Sequence, residues 1–189
     1  MHCQNLTPEQ RAYVYETHMT RDFPKNELKP SAMIERLIEA GSYDCLGLFD
    51  GETMVGYAYF TKLPDNGHLL LDYYAILPEN RNAGYGGRFL AEFSAHYSDY
   101  QGILVEIEDP DYADTDAERT LQLRRQGFYL RSGLRKTSVY GKVFTVPFRI
   151  LVLEHEQTDD RLLLDRMNAL YDLMTGQERR LKNVFLKID

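Results

Sequence analysis

The chain has 189 residues, 43% of them hydrophobic and 27% charged, and a formal net charge of −7. That is enough apolar material for one domain with a substantial core. The acidic balance argues against nucleic acid, which calls for a basic face, and is compatible with a cationic substrate.

No apolar run approaches the ~20 residues of a membrane helix. The opening MHCQNLTPEQRAY has neither an apolar leader core nor an acylation pattern. Cys3 and Cys45 stand far apart, and the histidines 2, 18, 68, 96 and 155 show no ligand spacing, so neither a disulfide framework nor a metal site is expected. A reducing, cytoplasmic setting follows as the default.

In chain order, Thr7-Pro8-Glu9-Gln10 is a capping box that predicts a helix to about Met19. Phe23 to Glu27 reads as a loop, and Pro30 or Ser31 opens a second helix that Gly41 ends. Cys45 to Phe49 and Met54 to Thr61 are short β-rich runs joined by the hairpin dipeptide Asp50-Gly51. The apolar run Leu69 to Leu77 is a third strand, stopped by Pro78. A helix from Gly84 to about Tyr100 follows, with Phe89, Leu90 and Phe93 at helical spacing. Gly102 to Glu108 is a strand with Ile103, Val105 and Ile107 on one face and Glu106 and Glu108 on the other. Strand, helix and strand in this order imply a parallel pair with a right-handed crossover.

Thr115-Asp116-Ala117-Glu118 caps a further helix, expected to end at Gly127. Phe128 to Leu130 and Thr145 to Leu153 read as closing strands, with Pro147 suited to an edge or a bulge. From Glu154 onward, Leu163, Met167, Leu170 and Met174 trace one helical face. Thr175-Gly176-Gln177-Glu178 then caps a second helix bearing Leu181, Val184, Phe185 and Ile188. These faces must be buried, either on the same domain or at a subunit contact in a homodimer.

Chemistry concentrates at Arg81-Asn82-Ala83-Gly84-Tyr85-Gly86-Gly87. A strand, a glycine turn and a helix make a phosphate cradle, because the first helical turn has unpaired N–H groups at the positive end of the dipole. Glycine lets backbone approach an anion without a Cβ between them. A P-loop would need a Lys-Ser/Thr pair after its second glycine, and a dinucleotide turn would read Gly-x-Gly-x-x-Gly. This turn has neither spelling.

The spelling Arg-x-x-Gly-x-Gly, preceded by Ala75-Ile76-Leu77-Pro78-Glu79, resembles the signature of the GNAT superfamily of acetyltransferases, and the order of elements from Leu6 to Leu153 is similar as well. The resemblance implies an α/β (α+β) GNAT fold: a mixed twisted sheet with antiparallel N-terminal strands, a parallel pair splayed at the cofactor site, and flanking helices. Residues 1–153 would form the acetyltransferase domain and residues 154–189 a helical extension. It further implies that acetyl-CoA is the co-substrate. Its pyrophosphate would lie on the amides of Arg81 to Gly87 and its pantetheine arm along Ala75, Ile76 and Leu77, with a backbone N–H near Ile76 or Leu77 as oxyanion donor.

The reaction needs a base for the amine and benefits from an acid for the thiolate. Glu106 is the first candidate base and Asp72, sharing parity with Tyr74 and Ile76, the second; a solvent-facing edge and a satisfied core carboxylate are the respective alternatives. The acidic run from Glu108 to Glu118 would attract a cationic amine, or simply be a solvated loop at a helix start. Many family members have a tyrosine acid four residues before the Gly-Phe that ends the fourth helix. Counted from Gly127-Phe128 that position is Leu123, which leaves Tyr112, with Tyr129 and Tyr140, as candidates. The expected function is N-acetylation of a primary amine of a small cationic molecule; the alternative is a catalytically silent acyl-CoA-binding module.

Overall fold

The structure, a computed structural model, describes residues 1–188. Its strands follow the order β1-β2-β3-β4-β5-β7-β6-β8 in a mixed sheet, with β4 and β5 the parallel neighbours. The chain divides into two compact units, residues 1–62 with 71–96, and residues 63–70 with the chain from Tyr97 onward.

The first unit opens with β1 (His2–Asn5), a strand that the sequence does not announce. Its four residues lack apolar alternation, and it exists by pairing antiparallel along β2 (Tyr43–Asp50). The capping box at Thr7 forms on both sides: Gln10 N donates to Thr7 Oγ1 at 3.3 Å, and Thr7 N to Gln10 Oε1 at 2.9 Å. The helix it starts is not regular to Met19. It runs as α1 (Pro8–Val14), a π-helical segment Tyr15–Met19 and a last turn α2 (Thr20–Asp22). Such wide turns are local insertions that apolar periodicity does not reveal.

Helix α3 (Ser31–Glu39) ends one residue before Ala40, and Gly41 takes φ +71° as the stop. Arg11 clamps α1 to α3 through Glu35 at 2.5 Å. Strands β2 and β3 (Thr53–Thr61) form the expected hairpin, with Gly51 at φ +59°. Strand β4 (His68–Ile76) continues into the connection before α4 (Tyr85–His96). The apolar faces of α1 and α3 meet an interior unusually rich in tyrosine: Tyr43, Tyr57, Tyr59 and Tyr73 join Leu6, Val14, Met19, Ile34 and Leu37. Phe89, Leu90 and Phe93 of α4 are fully buried, and Phe60 meets Phe93 edge-on at 5.1 Å.

In the second unit β5 occupies Gly102–Glu108, the span expected. Helix α5 (Asp116–Arg131) does not end at Gly127. A mid-helix glycine costs about 1 kcal/mol against alanine, which a helix of this length absorbs, and Phe128 to Leu130 are its last turn rather than a strand. The stop is Gly133, at φ +94°.

The strand misplaced at Phe128 is β6 (Arg135–Val143), which turns through Phe144 at φ +54° into β7 (Val146–Glu154). Strand β7 lies between β5 and β6, so Pro147 is in a central strand. It is tolerated because the β5 ladder ends at Glu108–Phe148, and one step further only the Pro147 carbonyl is used, accepting from Asp109 N at 3.0 Å.

Helix α6 (Asp160–Thr175) buries Leu163, Met167 and Leu170 completely and Met174 almost so, and packs on β6 and β8 of the same unit. Asp160 ties its start to β6, accepting from Arg135 at 2.8 Å and from Ser138 N and Oγ at 2.7 Å. The second C-terminal helix is shorter than expected. Thr175 donates to Tyr171 O instead of capping it, α7 covers Gln177–Asn183, and Val184–Ile188 is strand β8, antiparallel to β6. Alternating exposure of Phe185 and burial of Val184 suits a strand, whose side chains alternate, better than a helix face.

Candidate functional site

Between β4 and α4 the chain passes through a 3₁₀ turn (Pro78–Asn80) and then Arg81 to Gly84. Asn82 and Gly84 take φ +65° and +79°, the left-handed region that asparagine tolerates and glycine favours. A Cβ at Gly84 would meet nothing within 4 Å, so the backbone there is open to an incoming group.

Side chains hold this turn in shape. Arg81 Nε donates to Ile76 O at 3.0 Å, and its Nη2 lies 3.5 Å from Asp22, whose buried carboxylate also accepts from Tyr57 OH at 2.9 Å. Tyr74 OH donates to Gly86 O at 2.6 Å and Tyr85 OH to Asp50 at 2.7 Å. None of these bonds consumes a first-turn amide of α4, whose early N–H groups have no intrahelical acceptor. Arg81, Asn82, Ala83, Gly84, Tyr85, Gly86 and Gly87 thus form one amide-lined turn suited to a phosphate.

At the strand end, Leu77 N donates to Val55 O of β3 at 2.9 Å, so that amide is committed. Amides alternate between the two edges of a strand, which directs Ile76 N–H to the edge of β4 away from β3. The Ala75 carbonyl lies against Gly56, where a Cβ would come within 2.5 Å. Of the two oxyanion donors expected, Leu77 is thus already engaged.

The candidate carboxylates have different surroundings. Both oxygens of Asp72 accept from Lys29 Nζ at 2.7 Å, and Oδ2 also takes the Tyr43 hydroxyl. With its side chain 11% exposed, Asp72 is a satisfied core ion pair, the alternative that its sequence position left open. Glu106 is half-buried, and Tyr171 OH of α6 donates to its Oε1 at 2.6 Å. Its neighbour Glu108 pairs with Arg125 at 2.9 Å.

The acidic run is less bare than it reads. Buried Asp109 pairs with Arg149 at 2.6 Å, and Asp111 has Arg119 at 3.7 Å. Tyr112 is exposed on a 3₁₀ turn (Pro110–Tyr112) and borders a small cleft with Asp109, Tyr140, Pro147 and Phe185.

The end of α5 changes the count for the acid. Four residues before Gly133-Leu134, the pair that ends the helix, stands Tyr129. It is 9% exposed, lies edge-on to Phe128, and burial pushes its phenol up to about 12, so it carries its proton at neutral pH. Leu123, by contrast, is an exposed residue on the middle of the helix.

A mixed sheet with one parallel pair, and an arginine- and glycine-built turn leading from its strand into a helix, are the marks of an acetyl-group transferase. The chain belongs to the acetyltransferase (GNAT) family, whose model matches residues 8–128. Among solved structures it is similar to a GNAT-family protein from Bacteroides thetaiotaomicron, at 19% identity and a TM-score of 0.75, over 93% of this chain and 99% of that one. It is also similar to an aminoglycoside 6'-N-acetyltransferase complexed with coenzyme A, at 14% identity and TM-score 0.61, over 84% and 100%. A third is the ribosomal-protein-S18-alanine N-acetyltransferase of Escherichia coli, at 14% identity and TM-score 0.56, over 84% and 96%. No curated protein sequence matches the chain.

Proposed function

We propose that the protein transfers the acetyl group of acetyl-CoA to a primary amine of a small cationic molecule, by direct attack in a ternary complex. The turn from Arg81 to Gly87 carries this reading: it offers helix-start amides and an open glycine backbone in the family's spelling. Its residues, with Ala75, Ile76 and Leu77, are assigned to the coenzyme. Of the backbone donors, Ile76 N–H is assigned to the developing oxyanion.

Glu106 is assigned as base, taking a proton from the ammonium directly or through a water. The amine nitrogen then attacks the thioester carbonyl, the C–N bond forms and the C–S bond breaks. Tyr129, rather than the exposed Tyr112, is assigned to give the departing sulfur its proton, since its raised phenol pKa keeps it protonated and uncharged at neutral pH. One further proton leaves the nitrogen for solvent, giving amide and free thiol, and exchange with solvent returns Glu106 to the carboxylate and Tyr129 to the phenol.

The fold neighbours named above include one acting on an aminoglycoside and one on an alanine of ribosomal protein S18. The net charge of −7 favours the small cationic class here. Thiol release from acetyl-CoA, measured against polyamines, aminoglycosides and alanine-terminated peptides, is the test. Turnover with a polyamine or aminoglycoside is expected. Coenzyme binding without thiol release from any acceptor would instead make the chain a silent acyl-CoA-binding module.

A further inference from the structure

Residues from Glu154 onward lie beyond the stretch that matches the family, yet α6 delivers one side chain to a residue within it. Tyr171 is 7% exposed, on the same buried side of α6 as Met167, Leu170 and Met174. Its hydroxyl ends 2.6 Å from Glu106 Oε1, 65 residues earlier in the chain. The ring is held in place by packing, and the helix that carries it is clamped at its start by Asp160 to Arg135 and Ser138.

A second clamp lies about two to three turns further on, where Arg180 of α7 donates to Asp172 at 2.5 Å and to Asn168 at 2.9 Å. The hydroxyl therefore arrives at the carboxylate in one fixed orientation. A short hydrogen bond from a neutral phenol favours the charged form of a carboxylate and fixes which lone pairs remain for other partners.

We infer that Tyr171 is a positioning residue for Glu106, so that the C-terminal helix sets the orientation and proton affinity of the base. This rests on the assignment of Glu106 as base. It gives α6 a role in the reaction in addition to its role in the core. Loss of this donor would let the half-buried glutamate hold its proton to higher pH and relax its orientation, both of which lower the fraction competent to accept a proton.

The test compares Tyr171→Phe, Glu106→Gln and the double variant, using acetyl-CoA and whichever polyamine or aminoglycoside turns over fastest. Tyr171→Phe keeps the ring and its packing and removes only the donor. Losing a donor to the charged form raises the carboxylate pKa, so the acidic limb of the kcat/KM profile should move about one unit to higher pH. The rate on the plateau should fall several-fold, with KM for acetyl-CoA unchanged. In the Glu106→Gln background, Tyr171→Phe should change nothing further.

An unmoved acidic limb in a folded Tyr171→Phe enzyme, with Glu106→Gln nearly inactive, overturns the positioning role and leaves the base assignment standing. Full activity and an unchanged profile in Glu106→Gln overturns the base assignment itself. A carbon-13 titration of the Glu106 carboxyl, identified by its loss in Glu106→Gln, provides a reading independent of acceptor: it should titrate higher in Tyr171→Phe, and an unchanged midpoint contradicts the inference.

Discussion

Ending the chain after Glu154 removes α6, α7 and β8, and the structure sets the scale of the loss. Leu163, Met167 and Leu170 are completely buried and Met174 is 6% exposed. At about 1.5–3 kcal/mol for each large apolar side chain, these four contribute on the order of 6–12 kcal/mol of burial. A whole domain is stable by only about 5–15 kcal/mol. The truncation also strips β6 of its β8 partner and leaves an unpaired edge in the sheet.

The truncated chain should therefore be insoluble or lack a cooperative melt, and a milder Met167→Ala change should cost about 2–5 kcal/mol in urea unfolding. Circular dichroism and light scattering of both proteins read this. A truncated, monomeric protein that melts within a few degrees of the full chain and keeps its activity would refute the view that α6 completes the core.

Other outcomes follow from the polar interior. Asp72→Asn should lower stability by roughly 2–4 kcal/mol, because it leaves the Lys29 ammonium without its partner, yet retain kcat; a large loss of kcat in folded protein would restore Asp72 as a base. Tyr129→Phe should reduce kcat about 10²-fold, the low end for general acid catalysis because a thiolate leaves readily, with coenzyme affinity intact. A rate within twofold of the parent would remove Tyr129 from the reaction.

His68 is fully buried and burial lowers its pKa below 6.5, partly opposed by Glu154. The unfolded chain thus binds the proton more readily, and stability should decline as pH falls below about 6.5, by at most about 1.4 kcal/mol per unit for this one group. Urea midpoints for His68→Leu should fall less steeply with acid; an equal slope would contradict this.

What could be read from the sequence was whatever local chemistry alone decides. The Thr7 capping box, the Asp50-Gly51 hairpin and the strand from Gly102 to Glu108 are each specified by contiguous residues, and the structure has them where expected. The failures are competitions settled by distant packing. Gly127 has the look of a helix stop, but continued helix to Arg131 and the cap at Gly133 win, and that displaced both β6 and the tyrosine count.

Strand β8 was hidden because Val184 to Ile188 has few residues and becomes a strand only by pairing with β6. Likewise Glu106 and Asp72 are indistinguishable as letters on a strand. Lys29 and Tyr43 around one, and Tyr171 beside the other, come from 29 to 65 residues away.

The account rests most heavily on coenzyme binding at the Arg81 to Gly87 turn. Gly84 provides the direct measurement, since its surroundings are open and a Cβ there meets no protein atom within 4 Å. Gly84→Val should cost only about 1–2 kcal/mol in stability, from the left-handed backbone, while placing a branched side chain where the pyrophosphate is assigned. Calorimetric titration with acetyl-CoA should show the parent binding and the folded Gly84→Val variant weakened at least tenfold. Equal affinity of the two proteins would contradict the assignment of this turn to the coenzyme.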